Sequence, residues 1–343
     1  MSTVTPSRGG AAPRHSFHDD GRGVGDRITG TLAGVGDAFW STDDSGTSHV
    51  KVPHRKATSE SRKRWLMEVG WRYVVAVVAL AFAAFPILYV IGVSLNPIGS
   101  VTGSTIIPKN VSWTNYTTLL GGSKGPFLRW YVNTLIVCAA ITVIQLFVSA
   151  LAAYAFSRLR FKGRRMGMLL LLLIMMFPNI LAMIALYIMF SDLGKGIPAL
   201  GLSTVAGYVF ALLGGSLGQV WLIKGSMDSI PKELDEAAII DGANHFQVFW
   251  RILLPTQIPI IATSAMLGFV GVISEFIIGS IFLTANNSKT LAVGLYGLLQ
   301  GNRNANYGVF AAGAVMVSVP VILLFQFLQK YIVGGATAGA VKG

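Results

Sequence analysis

Glu275 is the one acidic residue of this sequence that sits well inside an apolar run. A carboxylate there is costly unless it faces a bundle interior or a wet cavity. It therefore either lines a pathway or takes a structural hydrogen bond from another helix or a second subunit. A denser set of acids, Glu233, Asp235 and Glu236, lies in the polar stretch 228–255. Pro231 suits a first helical turn, and the three acids suit the positive end of a helix dipole. Leu234, Ala237, Ala238 and Asp241 fall at helical spacing on one face. The two alanines keep that face low enough for another surface to approach closely. Gly242 permits a bend, and a second apolar helix is expected from Phe246 towards Pro255. The pattern describes a contact surface, either for a protein partner or for the membrane interface as an ordinary amphipathic helix.

Residue sets for catalysis are absent. There is no GxxxxGK[ST] phosphate loop, since Gly194-Lys195-Gly196 lacks both the upstream glycine and the hydroxyl residue. HExxH does not occur. Four of the five histidines lie in the first 60 residues, and His245 lies in the acidic stretch. Cys138, the single cysteine, stands in an apolar run and reads as a small hydrophobe. No Cys/His cluster has metal-ligand spacing, so no metal site is expected.

The elements around these residues are those of a membrane protein. Hydrophobic residues make up 53 % of the 343-residue chain and charged residues 12 %. That is about half the ~25 % of soluble domains and too little to cover a water-facing globule of this size. Six apolar runs follow one another: Tyr73–Leu95, Trp130–Phe156, Met166–Phe190 with Pro178 inside, the glycine-rich Leu202–Ile223, Ile258–Leu283, and Tyr307–Val333 with Pro320 inside. Each approaches the ~20 residues needed to cross a bilayer. The expectation is an all-α membrane protein with six transmembrane helices over 71–333. A disordered cytoplasmic tail over 1–70 would precede it and a short cytoplasmic tail over 334–343 would follow. Ile28–Trp40 offers a marginal amphipathic patch. No cleavable signal is evident, so the first run should act as the insertion signal.

The net charge of +12 resides mostly in the tail and one loop, which is a topological pattern; no nucleic-acid partner is expected. Lys51–Arg64 holds six basic residues before the first run, a juxtamembrane cluster suited to anionic lipid. The link Ser157–Gly167 carries Arg158, Arg160, Lys162, Arg164 and Arg165 with no acid. By the positive-inside rule this link, both termini and the acidic stretch face the cytoplasm.

Glu236-Ala237-Ala238, then Asp241-Gly242-Ala243, then Ile252-Leu253-Leu254-Pro255, resembles the EAA loop of ABC importer permeases. Ala153–Gly163, Lys289–Pro320 and the tail Gln329–Gly343 are similar to the MalG-type permease subunits of carbohydrate importers. The resemblance covers roughly residues 73 to 343 and implies a type I ABC importer permease fold. It implies that Glu236, Ala237, Ala238, Asp241 and Gly242 form a coupling helix seated in an ATPase cleft. It implies that Ala336, Thr337, Gly339 and Lys342 of the tail dock at the ATPase dimer, against the plain alternative of a frayed terminus. It also implies that the loop at about Gln300–Tyr307 reaches the sugar-binding protein; its Asn302, Arg303, Asn304 and Asn306 either bond a sugar-type surface or form turns.

The implied partners are a second, MalF-type permease subunit, an ATPase homodimer, an extracytoplasmic sugar-binding protein and the lipid membrane. ATP and magnesium would be bound by the ATPase, with no cofactor in this chain. The implied activity is alternating access for maltose or maltodextrin in a bacterial inner membrane. Trehalose or glycerol phosphate are the alternatives within transport. A membrane-embedded enzyme or scaffold, or a secondary transporter with discontinuous helices, are the alternatives outside that class. No substrate-binding residue is identified.

Overall fold

The computed structural model describes residues 40–42, 48–50, 66–97, 110–301 and 303–340. The chain divides into two units, 1–78 and 79–343. In the first, β1 (Trp40–Thr42) and β2 (Ser48–Val50) pair antiparallel, with Trp40 opposite Val50 and Thr42 opposite Ser48. This small ribbon falls in the stretch expected as a disordered tail; the elements of the second unit are helical. Trp, Thr and Val favour strands, and Asp43, Asp44, Ser45 and Gly46 between them are turn formers. Most of Ile28–Trp40 and all of Lys51–Arg64 lie outside the described residues. A π-helical turn, Leu66–Gly70, leads into α1 (Trp71–Ser94), which also enters the second unit. Its side chains are largely exposed, including Phe82 at 83 %.

The second unit is built on α3 (Phe127–Arg158), preceded by α2 (Thr114–Leu120). At 1.5 Å per residue the 32 residues of α3 extend about 48 Å, longer than the ~30 Å hydrocarbon core. One end must therefore project beyond the membrane. At its start Trp130 donates from Nε1 to the Asn286 carbonyl at 2.7 Å, Asn133 donates to the carbonyls of Asn287 and Lys289, and Thr134 Oγ1 accepts from Leu291 N.

Among the described residues, three helices, Met67–Ser94, Phe127–Arg158 and Asn306–Ile332, are long and apolar enough to cross a membrane unaided. Three bent pairs raise the number to six if each counts as one span. α4 (Arg164–Met176) and α5 (Asn179–Gly196) meet at 98°. Pro178 has no N–H to continue the helix, and it forces Phe177 into an extended conformation at φ −72°, ψ 128°. α6 (Val205–Leu212) and α7 (Leu217–Asp228) bend by 48° through a 3₁₀ turn containing Gly214 and Gly215.

α8 (Glu233–Ile240) and α9 (His245–Thr256) form the acidic stretch, with a π-helical segment at Val248–Leu253. α10 (Ile258–Ile273) leaves α9 at 76°. The apolar run expected as the fifth span is α10 and α11 (Ile277–Phe282), broken around Glu275. The third, fourth and fifth expected spans are thus discontinuous helices. α12 (Leu291–Gly301) and α13 (Arg303–Ala340) complete the unit. α3 packs against α7 and α10, and α13 against α10 and α12.

Candidate functional site

Two places gather the polar residues of the second unit, and α3 contributes to both. At the C-terminal end of α3, Tyr154, Ser157 and Arg158 stand at i, i+3 and i+4, so they share a face. Ser157 Oγ donates to Asp228 Oδ1 at 2.6 Å. Asp228 also takes a charged bond from Lys224. Arg158 donates from Nη2 to the Ile230 carbonyl at 3.0 Å, and its Nε lies 2.5 Å from Asp235 Oδ2. Tyr154 donates its hydroxyl proton to the His245 carbonyl at 3.2 Å. One helix end therefore clasps the acidic stretch where it begins, in α8, and where α9 starts.

An apolar core lies beneath these bonds: Ala150, Ala153 and Tyr154 of α3, Ile223 and Met227 of α7, Ala238 of α8, and Val248, Phe249 and Leu253 of α9. The alanines let the helices approach closely. Burial pushes the Asp235 carboxyl above its ordinary range, and the Arg158 cation opposes this without cancelling it. Asp228 moves the other way. Burial would raise it, but the bonds from Lys224 and Ser157 outweigh burial and hold it below the usual carboxylate range.

The clasp sorts the residues of α8 into two faces. Asp235 and Ala238 are buried against the rest of the chain, whereas Glu233, Glu236, Ala237, Asp241 and Gly242 are exposed. This corrects the single face expected for Leu234, Ala237, Ala238 and Asp241: Ala238 faces the core. The exposed face is not purely polar, since Ile240 is 85 % and Phe246 68 % exposed. α8 ends with Gly242 N bonded to the Ile239 carbonyl and Ala243 N to the Ala238 carbonyl, the double bond of a Schellman cap. Gly242 holds φ +90° there, in the left-handed region that favours glycine. Asn244 and Gln247 then exchange backbone and side-chain bonds as a capping box that starts α9.

The second place is a cavity of about 860 Å³ in the middle of the unit. α3 supplies Ile141 and Gln145 to its wall. Gly214, Gly215 and Gln219 come from the α6–α7 bend, and Gly268, Gly271 and Glu275 from α10 and its break. Most of the remaining lining is apolar. Glu275 accepts from Ile278 N at 2.7 Å and Gly279 N at 3.0 Å, which caps α11, and from the Tyr208 hydroxyl. Glu275 thus takes the hydrogen bond from another helix that the sequence reading allowed, and it also borders the cavity. Gly279 is required by close approach, because a Cβ there would lie 2.8 Å from the Tyr208 hydroxyl oxygen. The Gln219 side-chain oxygen is buried with no partner.

The remaining expected site residues are placed differently. Asn306 is neither a turn former nor open to a partner: it is buried in α13 and donates to the Leu298 carbonyl at 2.8 Å. Arg303 and Asn304 belong to the same helix, and Asn302 lies outside the described residues. α13 runs on to Ala340, so Ala336, Thr337 and Gly339 are helical, beyond the apolar span that ends at Ile332. Lys342 lies outside the described residues. Sequence reasoning missed Arg158, Ser157 and Tyr154 as ligands of the acidic stretch, although their spacing put them on one face. It also missed Tyr208, Gln145 and Gln219, whose convergence depends on the helix breaks.

Comparison with known proteins gives a consistent result. Residues 145–336 match the family described as binding-protein-dependent transport system inner membrane component. The maltose/maltodextrin transport system permease protein MalG of Vibrio vulnificus is 39 % identical over 275 residues, covering 77 % of this chain and 92 % of that protein. The galactooligosaccharides transport system permease protein GanQ of Bacillus subtilis is 38 % identical over 278 residues, covering 79 % and 96 %. Among solved structures, a bacterial ABC transporter involved in the import of the acidic polysaccharide alginate has a chain with a TM-score of 0.63 and 25 % identity. The match covers 80 % of this chain and 98 % of that one.

Proposed function

Since this chain belongs to the family of binding-protein-dependent transport system inner membrane components, we propose how it works and what it carries. It is a multi-pass permease subunit of a sugar ABC importer. Its substrate is maltose or maltodextrin. Its ATP hydrolysis is supplied by a separate ATPase dimer, which holds the nucleotide and magnesium. A second, MalF-type permease subunit completes the pathway, and an extracytoplasmic sugar-binding protein delivers the sugar. Both termini and the acidic stretch lie on the cytoplasmic side of a bacterial inner membrane.

The mechanism is alternating access driven through the clasp. The exposed face of α8, with Glu233, Glu236, Ala237 and Ile240, seats in the ATPase. The acids sit at the positive end of the α8 dipole, and the alanine admits a close surface. When nucleotide closes the ATPase dimer, α8 moves. The buried Asp235–Arg158 contact and the apolar core beneath it carry that movement into α3, which also forms part of the cavity wall. Ala336, Thr337, Gly339 and Lys342 add a second contact with the ATPase. Arg303 and Asn304 at the start of α13, with Asn302, form the contact with the binding protein.

The observation that carries the reading is the division of α8, with an acidic and apolar face left outward while Asp235 is bound to α3. The test is uptake of labelled maltose, maltotriose, a galactooligosaccharide, trehalose and glycerol phosphate in a strain lacking only this chain. Selective loss of maltose and maltotriose uptake is expected. The 38 % identity to GanQ favours one second reading, a galactooligosaccharide permease. Loss confined to that sugar would establish it and leave the coupling mechanism intact.

A further inference from the structure

We propose that the central cavity holds a neutral, hydroxyl-rich sugar and that Gln145 and Gln219 of this chain bond it directly; this deepens the importer reading above and rests on it. Gln145 lies near the middle of α3, where a polar group without a partner is costly. It is only 8 % exposed. Its Nε2 has one long bond of 3.4 Å, to the Gly215 carbonyl. Its Oε1 accepts no bond among the described residues and is not closed off from the cavity it lines. A Cβ at Gly268 would lie 3.5 Å from that oxygen, so the glycine keeps its approach clear. Gln219 lines the same cavity, and its amide nitrogen donates to nothing among the described residues. Amides that serve as glue between membrane helices spend their bonding groups within the bundle. Here one acceptor and one donor are left over beside the same space.

The glycines around the two amides fit the same reading. A Cβ at Gly214, Gly215 or Gly271 would meet no atom within 4 Å, so packing within this chain does not require them. Gly271 stands inside α10, where glycine costs about 1 kcal/mol against alanine. What these glycines gain is room and an open backbone beside the amides. Phe177, 55 % exposed, lines the same cavity and offers an apolar surface to the C–H face of a sugar ring. A mostly apolar cavity with a few convergent polar groups is the usual form of a small-molecule site, and about 860 Å³ falls within the ~300–1,000 Å³ of such sites.

The charge of the lining sets the class of ligand. Among the described residues, no lysine, arginine or histidine lines the cavity. Its one acid, Glu275, already accepts three bonds, from Ile278 N, Gly279 N and the Tyr208 hydroxyl. An anionic sugar or a phosphate ester would enter beside a carboxylate and without a counter-charge, which is unfavourable away from water. A neutral hydroxyl both donates and accepts, and so suits Gln145 Oε1 and Gln219 Nε2 together.

The test uses the complete transporter with its binding protein in proteoliposomes, during ATP-driven uptake. A maltotriose analogue carrying a photoreactive diazirine is activated by light, and its attachment points are mapped by mass spectrometry. Label is expected on this chain at 141–145 or 214–219, and excess maltotriose should suppress it. Label confined to the second permease subunit would overturn the assignment. So would label on this chain that excess maltotriose does not displace, the mark of a cavity filled by lipid. The double variant Gln145→Leu, Gln219→Leu should lower the maltotriose carried per ATP hydrolysed about tenfold, for two lost hydrogen bonds. An equal fall in uptake and hydrolysis, leaving that ratio unchanged, would mean a structural role and overturn the contact. Uptake by the wild type confined to glycerol phosphate or an acidic oligouronate would overturn the class of ligand. Uptake of a galactooligosaccharide in place of maltotriose would defeat the maltose assignment alone, and label from a photoreactive galactotriose on the same two segments would still support the site.

Discussion

The inner end of α3 and the middle of the same helix meet opposite surroundings. At the inner end, Tyr154, Ser157 and Arg158 make charged or short bonds to three points of the acidic stretch, over an apolar core without glycine. In the middle, Ile141 and Gln145 face a cavity bordered by four glycines, where Gln145 has a single long bond of 3.4 Å to the Gly215 carbonyl. One region ties α3 to its neighbours through several bonds, whereas the other leaves it beside open space. The buried ion pair is weak evidence for stability in itself, because desolvation offsets much of the attraction. Its value here is that it fixes α8 to one helix and in one orientation.

The sharpest way to break this contrast is Arg158→Ala. It leaves the Asp235 carboxylate buried without its cation, at a cost of roughly 3 kcal/mol. Sugar uptake should fall to background while ATPase activity of the assembled complex persists, and Arg158→Lys should restore only part of it. Uptake near wild type in Arg158→Ala would remove the clasp from the mechanism. Glu236→Lys should also abolish uptake, but with thermal stability changed by less than ~0.5 kcal/mol, because the residue is exposed. A large loss of stability would mean that the outward face is structural.

The cavity should respond more gently. Glu275→Gln keeps one acceptor oxygen but loses the charge and the second oxygen that accept three bonds here, and should cost about 1–2 kcal/mol in thermal stability. Uptake should drop several-fold without being lost. If it vanishes, Glu275 acts on the substrate as well as on α11. The smallest effect concerns acid. Asp228 lies below its ordinary range, so the stability it adds is present above the unfolded value near pH ~4 and is lost only as pH falls through the lower, folded value. Melting curves of wild type and Asp228→Asn should therefore keep a constant separation between about pH 8 and pH 5. Asp235, raised by burial, should protonate first on acidification, which makes it the acid-sensitive half of the clasp.

Much of this was legible in the sequence, for local reasons. The apolar runs marked the membrane-crossing elements, and the acidic stretch announced its helix, its glycine cap and its outward acids. Pro178 was visible inside its run, but the 98° turn it produces was not, because a proline allows both a kink and a full break. The break at Glu275 was hidden in a continuous apolar run, since the carboxylate itself replaces the missing helical acceptor. Asp235 looked equivalent to Glu233 and Glu236, because burial against Arg158 depends on a partner far away in the chain. Asn306 read as a turn former because its bond to the carbonyl of Leu298, on the preceding helix, depends on how α12 and α13 pack.

The length of α3 gives it a mechanical meaning. Trp130, Asn133 and Thr134 tie its outer end to the segment 286–291 and so supply a fulcrum. Arg158 stands about 42 Å along the axis from Trp130, and Gln145 about 22 Å, at 1.5 Å per residue. A stiff rod pivoting at Trp130 would then move the cavity wall by roughly half the distance travelled at Arg158. Under the proposed coupling the helix would work as a reducing lever, converting a long stroke at the clasp into a shorter and more forceful one at the cavity.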